Sequence, residues 1–208
     1  MLTGGTDTSA TTVEWAILEL LKHPNILQKA TQELDKVIGN QRWVQEKDFP
    51  QLPYIESIIK ETLRLHPLTS LLAPHFAIED CEIDGYDIPK GTTVFVNMWS
   101  IGRDPQYWDE PEEFKPERFL EKNADIDVEG RSFELLPFGS GRRRCPGYRL
   151  GLKVVRSTLA NLLHGFVWKL PNDMKAEDIC MEELYGLTTH PKVSLSLIME
   201  PRLPLHLY

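Results

Sequence analysis

The chain is poor in the features that most often announce a protein's class. It has three cysteines in 208 residues, Cys81, Cys145 and Cys180. An odd number at such wide spacing implies no disulfide framework, and a reducing compartment fits. Positive charge is not in excess: the formal net charge is −8, which argues against nucleic acid as a general partner. No apolar run approaches membrane-spanning length, and no signal-peptide pattern opens the chain. Internal repeats and low-complexity segments are also missing. What remains is ordinary globular composition, 41% hydrophobic and 26% charged, enough for one core.

What is present concentrates in Phe138-Gly139-Ser140-Gly141-Arg142-Arg143-Arg144-Cys145-Pro146-Gly147. Its glycines permit backbone conformations and close approaches that a side chain would block. Pro146 presets the first turn of a helix that follows at once. A helix N-terminus and neighbouring arginines both suit a thiolate. With no Cys or His partner nearby, that thiolate suits neither zinc nor an iron–sulfur cluster. Haem needs only one strong protein ligand on one face. The plain alternative is a buried, unreactive cysteine beside a solvated basic loop.

Periodicity supplies the elements around this loop. Val13, Ala16, Ile17, Leu20 and Leu21 form one face of a helix that Lys22-His23-Pro24 ends. A second helix spans Pro24 to Gly39, with Leu27, Ala30, Leu34, Val37 and Ile38 on its apolar face. After a polar connection, a third opens at Pro53 and stops before Pro67, carrying Ile55, Ile58, Ile59, Thr62, Leu63 and Leu65. Short strands at 75–78 and 92–96 follow, with tight turns at Asp84-Gly85 and Pro89-Lys90-Gly91. Residues 99–119 predict an ordered irregular loop, and the acidic residues 125–130 a surface excursion. After Cys145 comes a helix with Leu150, Val154, Val155, Leu159, Leu162 and Leu163 on its apolar face. A strand at Phe166 to Lys169, a polar segment and an alternating strand at Val193 to Leu197 complete the pattern.

Fitted as F-x-x-G-x-R-x-C-x-G with every fixed position filled, the cysteine loop resembles the haem-binding loop of the cytochrome P450 family. The resemblance implies that Cys145 is the axial ligand of haem iron. Phe138, Gly139, Gly141 and Gly147 frame the cofactor, and Arg143 pairs with a propionate. His75, after Pro74, stands where the family places a second propionate partner; a lone strand histidine bonded to nearby backbone is an even alternative. Gly4-Gly5-Thr6-Asp7-Thr8-Ser9 resembles the oxygen-binding segment of the family's central helix, a frayed helix start being the plainer reading. There Thr8 bonds back to a helix carbonyl and meets dioxygen, while Asp7 relays protons, making the two the catalytic pair. E-T-L-R-L-H-P and P-E-R-F match two further motifs, which unite Glu61, Arg64 and Arg118 as a structural charge network; otherwise Glu61 and Arg64 are a solvated pair. Leu71, Leu72 and Ala73, with Leu187 and Thr188 in Gly186-Leu187-Thr188-Thr189, look like substrate-lining segments, though the apolar ones could equally be core. Arg142, Arg144, Arg149 and Lys153 form either a docking patch for the reductase or a solvated face.

The resemblance covers essentially the whole chain, in the family's order of motifs. The expected fold is therefore mainly α (α+β): one partial domain over residues 1–208, the C-terminal part of the cytochrome P450 fold, with helices around haem and small β-sheets. F-G-S-G-R-R-R-C-P-G and Y-D-I-P-K-G-T look like the plant microsomal A-type branch, with its flavonoid and terpenoid chemistry. The implied reaction inserts one oxygen atom from dioxygen into an apolar small molecule. Electrons come from NADPH through cytochrome P450 reductase, at the cytosolic face of the endoplasmic reticulum membrane. In the family, more than half the protein, membrane anchor included, precedes this point. Met1 is thus expected to be an internal methionine or the product of an incomplete gene model, and turnover by these residues alone is expected to be slight. The alternative is a truncated, non-catalytic product that binds haem weakly or not at all.

Overall fold

The computed structural model describes residues 2–171, 174–194 and 196–208, with side chains from residue 4 onward. Its frame is helical. Helix α1 (Leu2–Lys22) is the central element: the expected face from Val13 to Leu21 is buried, and Trp15 and Leu18 on its other sides are buried too. A helix segment buried on nearly every side, as 11–21 is, belongs in the middle of a fold, not on its surface. Met1 lies outside the described residues.

Helix α2 (Pro24–Ile38) turns off at Pro24 and buries Ile26, Ala30, Leu34 and Ile38, a narrower stripe than expected, with Leu27 and Val37 at its margin. Gly39, at φ 73°, ends it in a conformation that favours glycine. Helix α3 (Pro53–Leu65) begins under a carboxylate: the Tyr54 and Ile55 amides donate to Glu33 at 2.8 and 3.0 Å. That satisfies two of the amides a helix start leaves bare. All six expected apolar-side residues of α3 are buried.

The strands form two-residue to four-residue antiparallel ribbons. β1 (His75–Phe76) pairs with β4 (Thr93–Val94), and β2 (Cys81–Ile83) with β3 (Tyr86–Ile88). Asp84 and Gly85, at φ 50° and 80°, close the second ribbon with the primed turn that matches strand twist. A short helix, α4 (Met98–Ile101), was not expected; the Asn97 side chain caps it by accepting from the Ser100 amide at 3.0 Å.

Two expectations need correction. Residues 125–130 are not a surface excursion: Val128 is 4% exposed, and Lys60 Nζ on α3 donates to the Ile126 carbonyl at 2.7 Å. Asp127 spends its charge locally, accepting from the Glu129 amide and Arg131, so the acidic run still delivers Val128 to the core. On α5 (Tyr148–Gly165), Val155, Leu159 and Leu163 are buried together with Leu152, but Leu150 and Val154 are exposed at 68% and 41%. The helix carries two apolar stripes, and the core takes the one beginning at Leu152. Beyond it, β5 (Phe166–Lys169) pairs with β8 (Ile198–Pro201), and β6 (Glu183–Leu184) with β7 (His190–Pro191). Of the strand expected at 193–197, Leu195 lies outside the described residues, and its neighbours are not strand. Register explains the shift: Lys169 faces Ile198, so pairing with β5 starts there. Among the described residues no helix is long and apolar enough to cross a membrane.

Candidate functional site

The cysteine loop is shaped by backbone. Gly139 and Gly141 sit at φ 68° and 64°, and the Cys145 amide donates to the Phe138 carbonyl at 2.9 Å, closing the loop on itself. Phe138 leans on Tyr148, the first residue of α5, with ring centroids 6.3 Å apart. The outer side is tied down by the stretch before it: Ser140 Oγ donates to the Gly130 carbonyl at 2.6 Å, and Arg144 Nη1 to the Glu129 carbonyl at 2.5 Å. Gly130 itself is at φ 83°, and a Cβ there would stand 2.6 Å from the Gly139 carbonyl oxygen. The Cys145 thiol is left exposed, and a Cβ on Gly147 would be 4.0 Å from its Sγ.

The side chains of Arg143 and His75 are exposed and make no hydrogen bond or ion pair among the described residues. Leu72 touches the loop, 3.8 Å from where a Gly139 Cβ would lie; Leu71 and Leu187 are exposed at 48% and 90%. Ala73 is exposed beside them. The basic side chains near the loop are partly committed: Arg144 stacks 4.0 Å over Tyr148, Arg149 donates to the Tyr148 hydroxyl, and Lys153 pairs with Glu46. Among the described residues, no cluster of three or more His, Cys, Asp or Glu side chains could hold a metal ion.

Between α3 and the stretch 102–118 the structure brings Glu61, Arg64 and Arg118 together. Arg64 meets both Glu61 oxygens at 2.7 and 2.8 Å, and Arg118 Nε meets Oε1 at 3.0 Å. All three are buried, Glu61 completely. Further guanidinium hydrogens go to backbone: Arg64 to the carbonyls of Gly102, Pro111 and Glu113, Arg118 to those of Asp109, Glu110 and Glu113. One carboxylate and two planar forks thereby hold the irregular stretch 102–118, which has little regular hydrogen bonding of its own.

On the start of α1, Thr8 Oγ1 donates back to the Gly4 carbonyl at 2.9 Å. A Cβ on Gly4 or Gly5 would meet nothing within 4 Å, so this turn borders open space. Asp7 accepts from Thr188 Oγ1 at 2.7 Å. Thr188 is buried and turns its hydroxyl to Asp7, while Leu187 before it points outward. His190, which the sequence pattern did not single out, joins the same group. α5 reaches this end of α1 as well: a Cβ on Gly151 would be 3.9 Å from Ser9 Oγ.

A second polar cluster lies away from the loop, lining a cleft of about 600 Å³ with Arg103, Trp99 and Tyr185. Buried Glu19 accepts from His66 Nε2 at 2.7 Å and pairs with His23 Nδ1 at 3.2 Å; Trp15 stacks on the His66 ring at 4.0 Å. Burial alone would raise the Glu19 carboxyl, but the bonds from His23 and His66 outweigh it and hold the group at about 2.

The chain is similar to known proteins over nearly its whole length. The family model described as Cytochrome P450 matches residues 1–197. A dimethylnonatriene synthase of Zea mays is 56% identical, the match covering 100% of this chain and 39% of the relative. A flavonoid 3'-monooxygenase of Arabidopsis thaliana is 51% identical, covering 100% and 41%. The chain thus spans about two-fifths of the length of the curated relatives it matches. A zebra fish cytochrome P450 structure with progesterone superposes with a TM-score of 0.83 at 34% identity, over 96% of this chain and 43% of that one.

Proposed function

Since the chain belongs to the cytochrome P450 family, we propose that the protein is a haem-thiolate monooxygenase of plant secondary metabolism. The observation that carries this reading is the exposed Cys145 thiol in a loop whose backbone is anchored on its far side by residues 129–130. The free thiol of Cys145, Leu72 against its loop, and the uncommitted side chains of Arg143 and His75 fit a prosthetic group that would take one thiolate ligand and carry two carboxylates. Haem, when bound, supplies the activation of dioxygen and the transfer of one oxygen atom to substrate.

The chain's own part is to hold, orient and move protons. Cys145 would hold the iron, with Phe138, Gly139, Gly141 and Gly147 keeping the loop thin and fixed. Arg143 and His75 pair with the propionates through charge-assisted bonds. Asp7 accepts and releases protons at Oδ2, and Thr8, bonded to the Gly4 carbonyl, keeps its hydroxyl beside the open space. Glu61, Arg64 and Arg118 fix the stretch that leads toward the loop and take no part in bond making. Leu71, Leu72, Ala73 and Leu187 give an apolar wall, and Thr188 closes it on the Asp7 side. The substrate is an apolar small molecule, terpenoid- or flavonoid-like. For the whole protein, electrons come from NADPH through cytochrome P450 reductase at the cytosolic face of the endoplasmic reticulum membrane.

The test is the reduced carbon monoxide difference spectrum of the haem-loaded protein. The red-shifted band of thiolate ligation is expected, and Cys145→Ser should abolish it. Persistence of that band in Cys145→Ser would overturn the assignment.

A further inference from the structure

The group at Asp7 extends further than the proton-handling reading requires. His190 of β7 stands with Nε2 2.6 Å from Thr188 Oγ1 and 3.5 Å from Asp7 Oδ2, and with Nδ1 3.1 Å from Thr11 Oγ1. Thr188 has one hydroxyl hydrogen and donates it to Asp7 at 2.7 Å. Its oxygen can then only accept from His190, which makes Nε2 the protonated nitrogen. In the tautomer protonated at Nε2 alone, Nδ1 accepts from the Thr11 hydroxyl. The three bonds of the run Thr11, His190, Thr188, Asp7 then all point one way, toward the carboxylate.

Placement reinforces the chemistry. Asp7 and Thr11 are one turn apart on α1, and Trp15, one turn further, donates from Nε1 to the Thr189 carbonyl at 3.0 Å. Residues 188, 189 and 190 therefore fasten three successive turns on one face of α1. The imidazole bridges the first two, and no apolar residue of its size could.

We propose that His190 is a positioning residue for Asp7: its ring, held with Nε2 protonated between Thr188 and Thr11, fixes the carboxylate in one orientation for proton delivery. This rests on the reading of Asp7 as the proton-handling residue. The experiment uses the full-length, haem-loaded protein and measures hydrogen peroxide released per NADPH oxidised, the fraction of electrons lost when proton delivery fails. Asp7→Asn should raise it several-fold, and His190→Leu should do the same. In His190→Gln the amide nitrogen replaces Nε2 as donor to Thr188, so the ratio should return toward the unmutated value; His190→Asn, one bond shorter, should not rescue. Independently of turnover, long-range proton–nitrogen spectra should show His190 protonated at Nε2 and bare at Nδ1, and Thr188→Val should mix the two tautomers. If Asp7→Asn raises peroxide and His190→Leu does not, the role of Asp7 stands and that of His190 is wrong. If Gln fails where Leu fails, donation to Thr188 is not what His190 supplies, which also overturns the proposal. No change in either Asp7→Asn or His190→Leu would remove the reading of Asp7 and this inference with it.

Discussion

A carboxylate taken out of water is tolerable only where donors surround it, and Glu19 is the residue where that balance sets a pH dependence. Its carboxyl falls from 4.5 to about 2 because two histidines outweigh its burial. A depressed carboxyl contributes stability that is fully present above 4.5 and is lost as pH falls through about 2. The shift corresponds to on the order of 3 kcal/mol. His23 has the opposite sign: its pKa is raised, chiefly by the bond to Glu19, so its contribution is whole below 6.5 and fades as pH climbs through the raised value. Between 4.5 and 6.5 both are intact. Glu19→Gln should therefore lower the urea midpoint most in that window, and the gap to the unmutated chain should close as pH falls from 4.5 toward 2. A gap of constant size down to the lowest pH would mean that ionised Glu19 contributes nothing. Nothing in the sequence marks Glu19 as special, since an acid on an otherwise apolar helix face gives no hint that histidines four and forty-seven positions away will meet it.

At the scale of elements, the segment 125–131 is the support of the cysteine loop. Gly130 allows it: φ is 83°, and a Cβ would crowd the Gly139 carbonyl oxygen. Gly130→Ala should leave helix content unchanged, because no helix depends on this contact, yet shift the loop that presents Cys145. Backbone strain of this kind costs on the order of 1–3 kcal/mol, so haem affinity should fall by about tenfold or somewhat more. Titration of the chain with haem measures it; unchanged affinity would show that the support is dispensable. This support was illegible in sequence for a definite reason. Asp125, Asp127, Glu129 and Arg131 around Val128 mask its burial, and hydrogen bonds to carbonyls, such as those from Lys60, Ser140 and Arg144, leave no pattern in residue type. The helices were legible where one stripe dominates, as on α3, whose expected residues are all buried. On α5 two stripes compete, and Leu150 with Val154 went to the wrong side because periodicity fixes faces but not which face meets a neighbour. The cysteine loop was readable since its chemistry is local. His190 was not, because its meaning depends on Thr11, distant in sequence and near only after folding.

For the molecule as a whole, α3 is a hub beside α1: it touches α1, α2, α5 and the turn at Pro116–Phe119. Its ties to the surroundings are of two kinds. Apolar packing joins it to the helices, reinforced by the fork of Arg156 on α5 to Glu56 at 2.6 Å for each bond. Charge joins it to the irregular stretch, through Glu61 and the two arginines. Buried ions are worth little net against an apolar replacement, but removing one partner strands the others and costs about 3–5 kcal/mol. That is a large share of a domain's usual stability of roughly 5–15 kcal/mol. Glu61→Ala leaves two guanidinium groups uncompensated beside Trp108, whose ring lies 5.3 and 6.0 Å from them. Two outcomes can be told apart. If the network binds only residues 102–118, near-ultraviolet dichroism should report early loosening around Trp108 while far-ultraviolet dichroism keeps its midpoint. If it holds the whole frame, both signals should move together to lower urea. The second is expected, because the carbonyls of Gly102, Asp109, Glu110, Pro111 and Glu113 all depend on forks anchored at one carboxylate of the hub. Arg118→Lys should fall between: the charge stays, but an ammonium cannot reproduce the planar fork that spans Glu61 and three carbonyls. A midpoint for Arg118→Lys equal to that of the unmutated chain would mean that charge alone, without fork geometry, holds the stretch.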